Sequence, residues 1–197
     1  MSPAEVEVRV GVDEHQRAQA AELYWEAFSR KLQKAIGPRD VGVELLAATL
    51  RPEQAVAACR DGEIVGLAGF DVDGAPFVDL GMRDVVRSVG MLRALVRLPW
   101  LLLLGRTPKS SDLHIDGIAV AAGARGGGIG SRLVAVIEQV AREHGATGVR
   151  LEVVDTNPDA RRLYERLGYI EVRTEQTPYL RRAMGFGAAT EMVKRFG

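Results

Sequence analysis

The segment that most restricts the fold runs from Ala124 to Gly145, ARGGGIGSRLVAVIEQVAREHG, where a glycine-dense turn passes directly into an amphipathic helix. With no Cβ at Gly126, Gly127, Gly128 and Gly130, the backbone can curl around a ligand and aim successive N–H groups at it. The positive end of the following helix adds to the attraction, so the junction suits a phosphate or pyrophosphate. Leu133, Val134, Ile137, Val140 and Ala141 recur at helical spacing, and Arg132, Glu138, Arg142 and Glu143 fall off that face. Gly145 is placed to stop the helix.

Two common phosphate loops do not fit. A P-loop needs Gly-Lys-Ser/Thr, but Gly130 is followed by Ser131 and Arg132. The dinucleotide fingerprint fails because Ser131 or Leu133 falls where its third glycine belongs. What fits is Arg125-x-x-Gly128-x-Gly130, which resembles the Q/R-x-x-G-x-G/A signature of the GNAT acetyltransferase superfamily. Flanking segments support it: Leu113–Val120 and Val149–Val154 read as strands, giving a parallel strand–loop–helix–strand unit. In DTNPDARRLYERLGYIEV, Asn157 is a natural N-cap, Pro158 sits at the first helical position and Gly168 ends the helix. Asn157, Ala160, Tyr164, Gly168 and Tyr169 also match the superfamily's N-x-x-A-x-x-x-Y-x-x-x-G-F/Y segment in order.

The resemblance extends from about Val6 to Phe196 and implies an α/β (α+β) GNAT fold. Its elements are a mixed central sheet of about seven strands, splayed parallel fourth and fifth strands, and flanking helices, in one domain over residues 1–197. Alternation of Val6, Val8, Val10 and Val12 predicts a first strand. Asp13 with Gln16 resembles a capping box opening a helix that carries Leu23, Tyr24, Phe28 and Leu32, stopped by Gly37-Pro38. A shorter helix is expected from Val41 to Leu50. A hairpin of Ala55–Cys59 and Glu63–Phe70 should turn at Asp61-Gly62, and Tyr169–Thr174 should pair with Glu191–Phe196.

One segment departs from the superfamily pattern. Between the third and fourth strands lies an insert over about 78–110, in which Val85, Val89, Leu92 and Val96 form a stripe opposite Arg83, Arg87, Arg93 and Arg97, before Pro99 and an apolar run. Such a helix suits packing on the domain body, docking to a partner, a dimer contact, a lid over the acceptor, or lying on an anionic membrane surface. It is expected beside the acceptor side, because it feeds into the start of the fourth strand.

Composition narrows the function classes. With 26 basic against 26 acidic residues there is no global pull toward nucleic acid, and Arg161, Arg162, Arg166, Arg181 and Arg182 read as solvated faces. The one cysteine, Cys59, excludes an intramolecular disulfide and reads as a core filler. His15, His114 and His144 are scattered without metal-ligand spacing, so no metal is expected. No signal pattern or run of membrane-spanning length is visible, which makes a cytoplasmic enzyme without a transmembrane segment the default.

The resemblance assigns residues to a direct-attack acetyl transfer from acetyl-CoA to a primary amine of a small molecule or protein. It implies that Ile118, Ala119 and Val120 offer backbone groups to the pantetheine arm and the thioester. Gly126, Gly127, Gly128, Ile129, Gly130 and Ser131 hold the pyrophosphate, and Arg125 takes the motif's first position. Asn157 bonds the arm, and the Tyr164 hydroxyl serves the departing sulfur as acid. Strand alternation puts His114 and Asp116 on the face of Ile118 and Val120, where either could act as base. His114 has a spacing similar to that of a catalytic glutamate in some family members, with water as the alternative base. An acetyl-CoA-binding sensor and an acyltransferase for longer acyl-CoAs at a membrane surface are the alternative functions. A homodimer is compatible with the resemblance.

Overall fold

The computed structural model describes residues 5–72, 74–89, 110–178 and 181–197. A seven-stranded sheet has the order β1-β2-β3-β4-β5-β7-β6. Its strands are β1 (Glu7–Val10), β2 (Ala55–Arg60), β3 (Glu63–Asp71), β4 (Leu113–Val120), β5 (Gly148–Val154), β6 (Ile170–Gln176) and β7 (Ala188–Arg195). Neighbours run antiparallel except β4 and β5, which are parallel. The helices are α1 (Arg17–Ala35), α2 (Arg39–Thr49), α3 (Met82–Val89), α4 (Ile129–Glu143), α5 (Pro158–Arg166) and the short α6 (Arg181–Met184). Among the described residues no helix is long and apolar enough to cross a membrane.

Each face of the sheet has its own core. On one, Leu23, Tyr24, Trp25 and Leu32 of α1 and Leu45 and Leu46 of α2 pack with Ala55, Ala57, Leu67 and Ala119. On the other, Leu133, Val134, Ile137 and Ala141 of α4 and Tyr164 of α5 cover Val56, Ala68, Phe70, Ile115, Leu151 and Met192. The expected apolar stripes of α1 and α4 are therefore the buried ones. The β2–β3 hairpin turns at Asp61 and Gly62, both at positive φ (52° and 81°), as a type I′ turn requires. Gly145 and Gly168 end α4 and α5 at positive φ, and Ala146 and Tyr169 donate back to the carbonyls of Ala141 and Tyr164.

Several local expectations are corrected. The first strand ends at Val10, because Gly11 has φ 91° and breaks the alternation, and Val12 enters the α1 core while Val6 and Val8 pack on the α4 side. Asp13 caps nothing: its carboxylate pairs with Arg9, and Gln16, buried, donates to the carbonyl of Gly62. A 3₁₀ turn at Glu14–Gln16 precedes α1 instead. Glu138 is buried rather than solvated. Lys194 of β7 reaches over α4 and donates to both its oxygens at 2.9 and 2.8 Å, so a charge that helical spacing assigns to water is satisfied by a distant strand. In the insert, Val86 of α3, which is not one of the expected stripe, packs on the α1–α2 core; of the stripe, Leu92 and Val96 and the side chains of Val85 and Val89 lie outside what is described.

Candidate active site

The glycine loop forms as its residues require. After a 3₁₀ turn at Ala122–Ala124, Gly126 and Gly128 take φ 79° and 76°, a region costly for other residues, and Gly128 is the N-cap of α4. Buried Ala124 and Ile129 pin the exposed loop at both ends. The first intrahelical bond is Arg132 N–H to the Gly128 carbonyl at 3.1 Å. The amides of Ile129, Gly130 and Ser131 are thus the helix's unsatisfied donors, with its positive end behind them. At Gly130 the requirement is space: a Cβ would stand 3.2 Å from Leu163 Cδ2, so this glycine lets α5 close onto the first turn of α4. Arg125 turns back and donates through Nε to the Val120 carbonyl at 3.0 Å, joining the loop to the end of β4.

Beside this loop the sheet opens. β4 and β5 pair only through Leu113, His114 and Ile115 with Val149, Arg150 and Leu151. Beyond those rungs Asp116–Val120 and Glu152–Val154 part. A β-bulge coincides with the parting: Gly69 faces Gly117 while Phe70 faces Ile115, leaving Asp116 as the extra residue of β4. A bulge bends and twists its strand, a physical reason for the pair to separate there.

The bulge also overturns the expectation that His114 and Asp116 share a face with Ile118 and Val120. Leu113 and Ile115 belong to the α4 core, so His114 points to the α1 side. Asp116 Oδ2 accepts from the N–H of Phe77, a member of the α1 core. After the extra residue the parity inverts: Gly117 faces Phe28 and Ala119 joins the α1 core, while Ile118 and Val120 pack toward α4. The gap therefore has two sides, with His114 and Asp116 on one and the loop with α5 on the other.

On the α1 side, His114 Nδ1 lies 3.3 Å from Asp116 Oδ1, both side chains being mostly buried. Opposite His114 in register stands Asp71 of β3, a buried carboxylate that the sequence analysis did not single out. Burial pushes its carboxyl up and Asp116 adds to this, while His114 and the N–H groups of Gly74 and Ala75 draw it down. Across the last rungs, Arg150 is buried and donates to Glu191 Oε1 at 3.4 Å, and Glu191 stands opposite Glu152. Arg150, Glu191 and Glu152 were also missed. Only the register of three strands brings them together, and no local motif marks it.

On the α5 side, Asn157 is the N-cap as expected, its Oδ1 accepting from Ala160 N–H at 3.2 Å. Two turns on, Tyr164 is buried, its ring 5.9 Å from that of Tyr169. Burial pushes its phenol up to about 12, so it is a neutral hydrogen-bond donor throughout the neutral range. Two open hollows measure about 420 and 270 Å³. The first is bounded by Arg17, the end of α2 and the segment after it, and the second by Val153 and Val154 at the parted end of β5, Asn157 at the start of α5, and residues of β6 and β7. Among the described residues no group of three or more His, Cys, Asp or Glu is placed to hold a metal.

A mixed sheet opened between two parallel strands, with a glycine-bounded helix N-terminus at the opening, defines an acetyltransferase-type fold. Residues 17–169 match the Acetyltransferase (GNAT) family, and the chain belongs to it. It is 48% identical over 58 residues to blasticidin-S acetyltransferase of Streptomyces morookaense, covering 29% of this chain and 41% of that protein. To thialysine N-epsilon-acetyltransferase of Bos taurus it is 37% identical over 62 residues, covering 32% and 36%. The matched stretches thus span less than half of each relative's length. Among solved structures, the GCN5-related N-acetyltransferase from Kribbella flavida has a TM-score of 0.65 at 19% identity, covering 97% of this chain and 98% of that one. The N-acetyltransferase from Staphylococcus aureus Mu50 has a TM-score of 0.64 at 15% identity, covering 95% and 100%. At these identities the structures speak to the fold.

Proposed function

We propose that this protein transfers an acetyl group from acetyl-CoA to a primary amine by direct attack. The observation that carries this reading is the junction of the parted β4–β5 edges with the Gly126–Ser131 loop, because unsatisfied helix amides fit a pyrophosphate and an open strand edge fits the amide-bearing arm behind it. Bound acetyl-CoA supplies the thioester. The amides of Ile129, Gly130 and Ser131 hold the pyrophosphate, with Gly126, Gly127 and Gly128 shaping the loop and Arg125 tying it to β4. Backbone groups of Ile118, Ala119 and Val120 line one side of the arm, one N–H polarising the carbonyl, and the Asn157 side-chain amide lines the other.

The acceptor approaches from the α1 side of the gap, where His114, oriented by Asp116, takes its proton. The amine nitrogen forms a bond to the carbonyl carbon, the carbon–sulfur bond breaks with its electron pair on sulfur, and the Tyr164 hydroxyl donates to the departing thiolate. The relatives are named for blasticidin-S and for the ε-nitrogen of thialysine, which makes both compounds members of the first acceptor panel. The test is thiol release from acetyl-CoA against amines, amino acids, aminoglycosides and peptides, with calorimetry for CoA. Turnover with at least one amine is expected; absence of CoA binding by the folded protein would overturn the reading.

A further inference from the structure

We infer that Asp71 is a positioning residue for the base, its carboxylate holding the charge that His114 acquires when it takes the acceptor's proton. The inference rests on the reading of His114 as base. Asp71 and His114 are directly opposite in the β3–β4 ladder, and both face the α1 side, since Phe70, Leu113 and Ile115 around them belong to the other core. Asp116 engages the imidazole from the bulge at Nδ1. The ring therefore has a carboxylate along its own strand and another across the ladder, and Nε2 is the nitrogen left for proton transfer.

Both carboxylates have polar neighbours besides the histidine. Asp116 accepts from Phe77 N–H at 2.9 Å, and the N–H groups of Gly74 and Ala75 favour the charged form of Asp71. Asp116 is thereby held in place when the imidazolium forms. Among the described residues, other charged or titratable groups on this face include Arg150 on β5, bonded to Glu191 on β7, Glu152 beyond the last rung, the Tyr24 phenol on α1 and, further along the sheet, the Cys59 thiol. Arg150 stands opposite His114 across the β4–β5 ladder as a positive neighbour, and Asp71 and Asp116 are negative ones.

The test is an NMR titration of the imidazoles in wild type and Asp71→Asn. Three histidines, His15, His114 and His144, make the assignment tractable with His114→Ala as reference. In Asp71→Asn the His114 titration should move to lower pH while His15 and His144 stay in place, and Asp71→Glu, which keeps the charge, should restore it toward wild type. An unmoved His114 titration in Asp71→Asn overturns the inference. If Asp71→Asn does not fold, Asp71→Ser takes its place, with the same outcomes. The acidic limb of kcat/KM is read in parallel: a moved NMR titration with an unmoved limb leaves the Asp71–His114 coupling standing and removes His114 as the base.

Discussion

Ile115 and Leu151 form the last rung between β4 and β5, and the next residue of β4, Asp116, is the bulge. Opening and bulge thus occur at one point along the strand. Because the bulge inverts side-chain parity, His114 and Asp116 turn toward α1 while Ile118 and Val120 turn toward α4. In the proposed reaction, acceptor and CoA thioester meet through the gap from opposite faces of the sheet.

The loop's backbone conformation gives the first prediction. A Cβ at Gly128 meets nothing within 4 Å, so Gly128→Val should leave packing intact while straining a φ of 76° that a β-branched residue resists. CoA affinity measured by calorimetry should fall at least tenfold, about 1.4 kcal/mol. Unchanged affinity in a folded variant would refute the loop assignment. Gly130 is a poorer probe, since its substitution also pushes on Leu163.

The base gives a second. His114→Ala should remove the acidic limb of the kcat/KM–pH profile and lower the neutral-pH rate by about 10²-fold or more, with CoA affinity little changed. Retention of the wild-type limb would eliminate His114 and leave proton removal to Asp116 or water.

Stability provides a third, away from the site. Glu138 is buried and bonded through both oxygens to Lys194, while the same carboxylate helps push the Tyr169 phenol far above its ordinary range after burial, the larger cause. Glu138→Ala should destabilise the fold by about 1–3 kcal/mol, because it strands a partly buried ammonium. The double variant with Lys194→Met should recover part of the loss in denaturant melts, and full additivity of the two single effects would dismiss the pair as a stabilising unit.

Much of this architecture is legible in the chain because its signals are local. Asn157-Pro158, Gly145, Gly168 and the Asp61-Gly62 turn each act within a few residues, and the observed element ends follow them closely. The half of the candidate site proposed to hold the cofactor is legible for the same reason, since loop and helix are contiguous. The half proposed for the acceptor is not. Asp71, Arg150 and Glu191 come together only through strand register, and the bulge at Asp116 depends on how β4 meets β3, so period-two reasoning carried across it assigned the wrong face. Glu138 failed in the same way, its partner arriving from β7.

Tyr164 gives the last prediction, and it has two readouts of opposite character. The phenol is buried and pushed up to about 12, against about 10 in the unfolded chain, so between these values the unfolded state loses its proton first. Stability from this group is complete below pH 10 and declines as pH rises toward 12; Tyr164→Phe should flatten that part of the alkaline melting curve while leaving the neutral melting temperature nearly unchanged. The same substitution removes the proposed donor to the departing sulfur while keeping the ring against Tyr169. Its kcat at neutral pH should fall about 10²-fold or more with CoA affinity intact. A phenol that only packs the helix would give the flattened alkaline curve with wild-type kcat, provided chemistry is shown to limit turnover, and that outcome would return thiolate protonation to solvent.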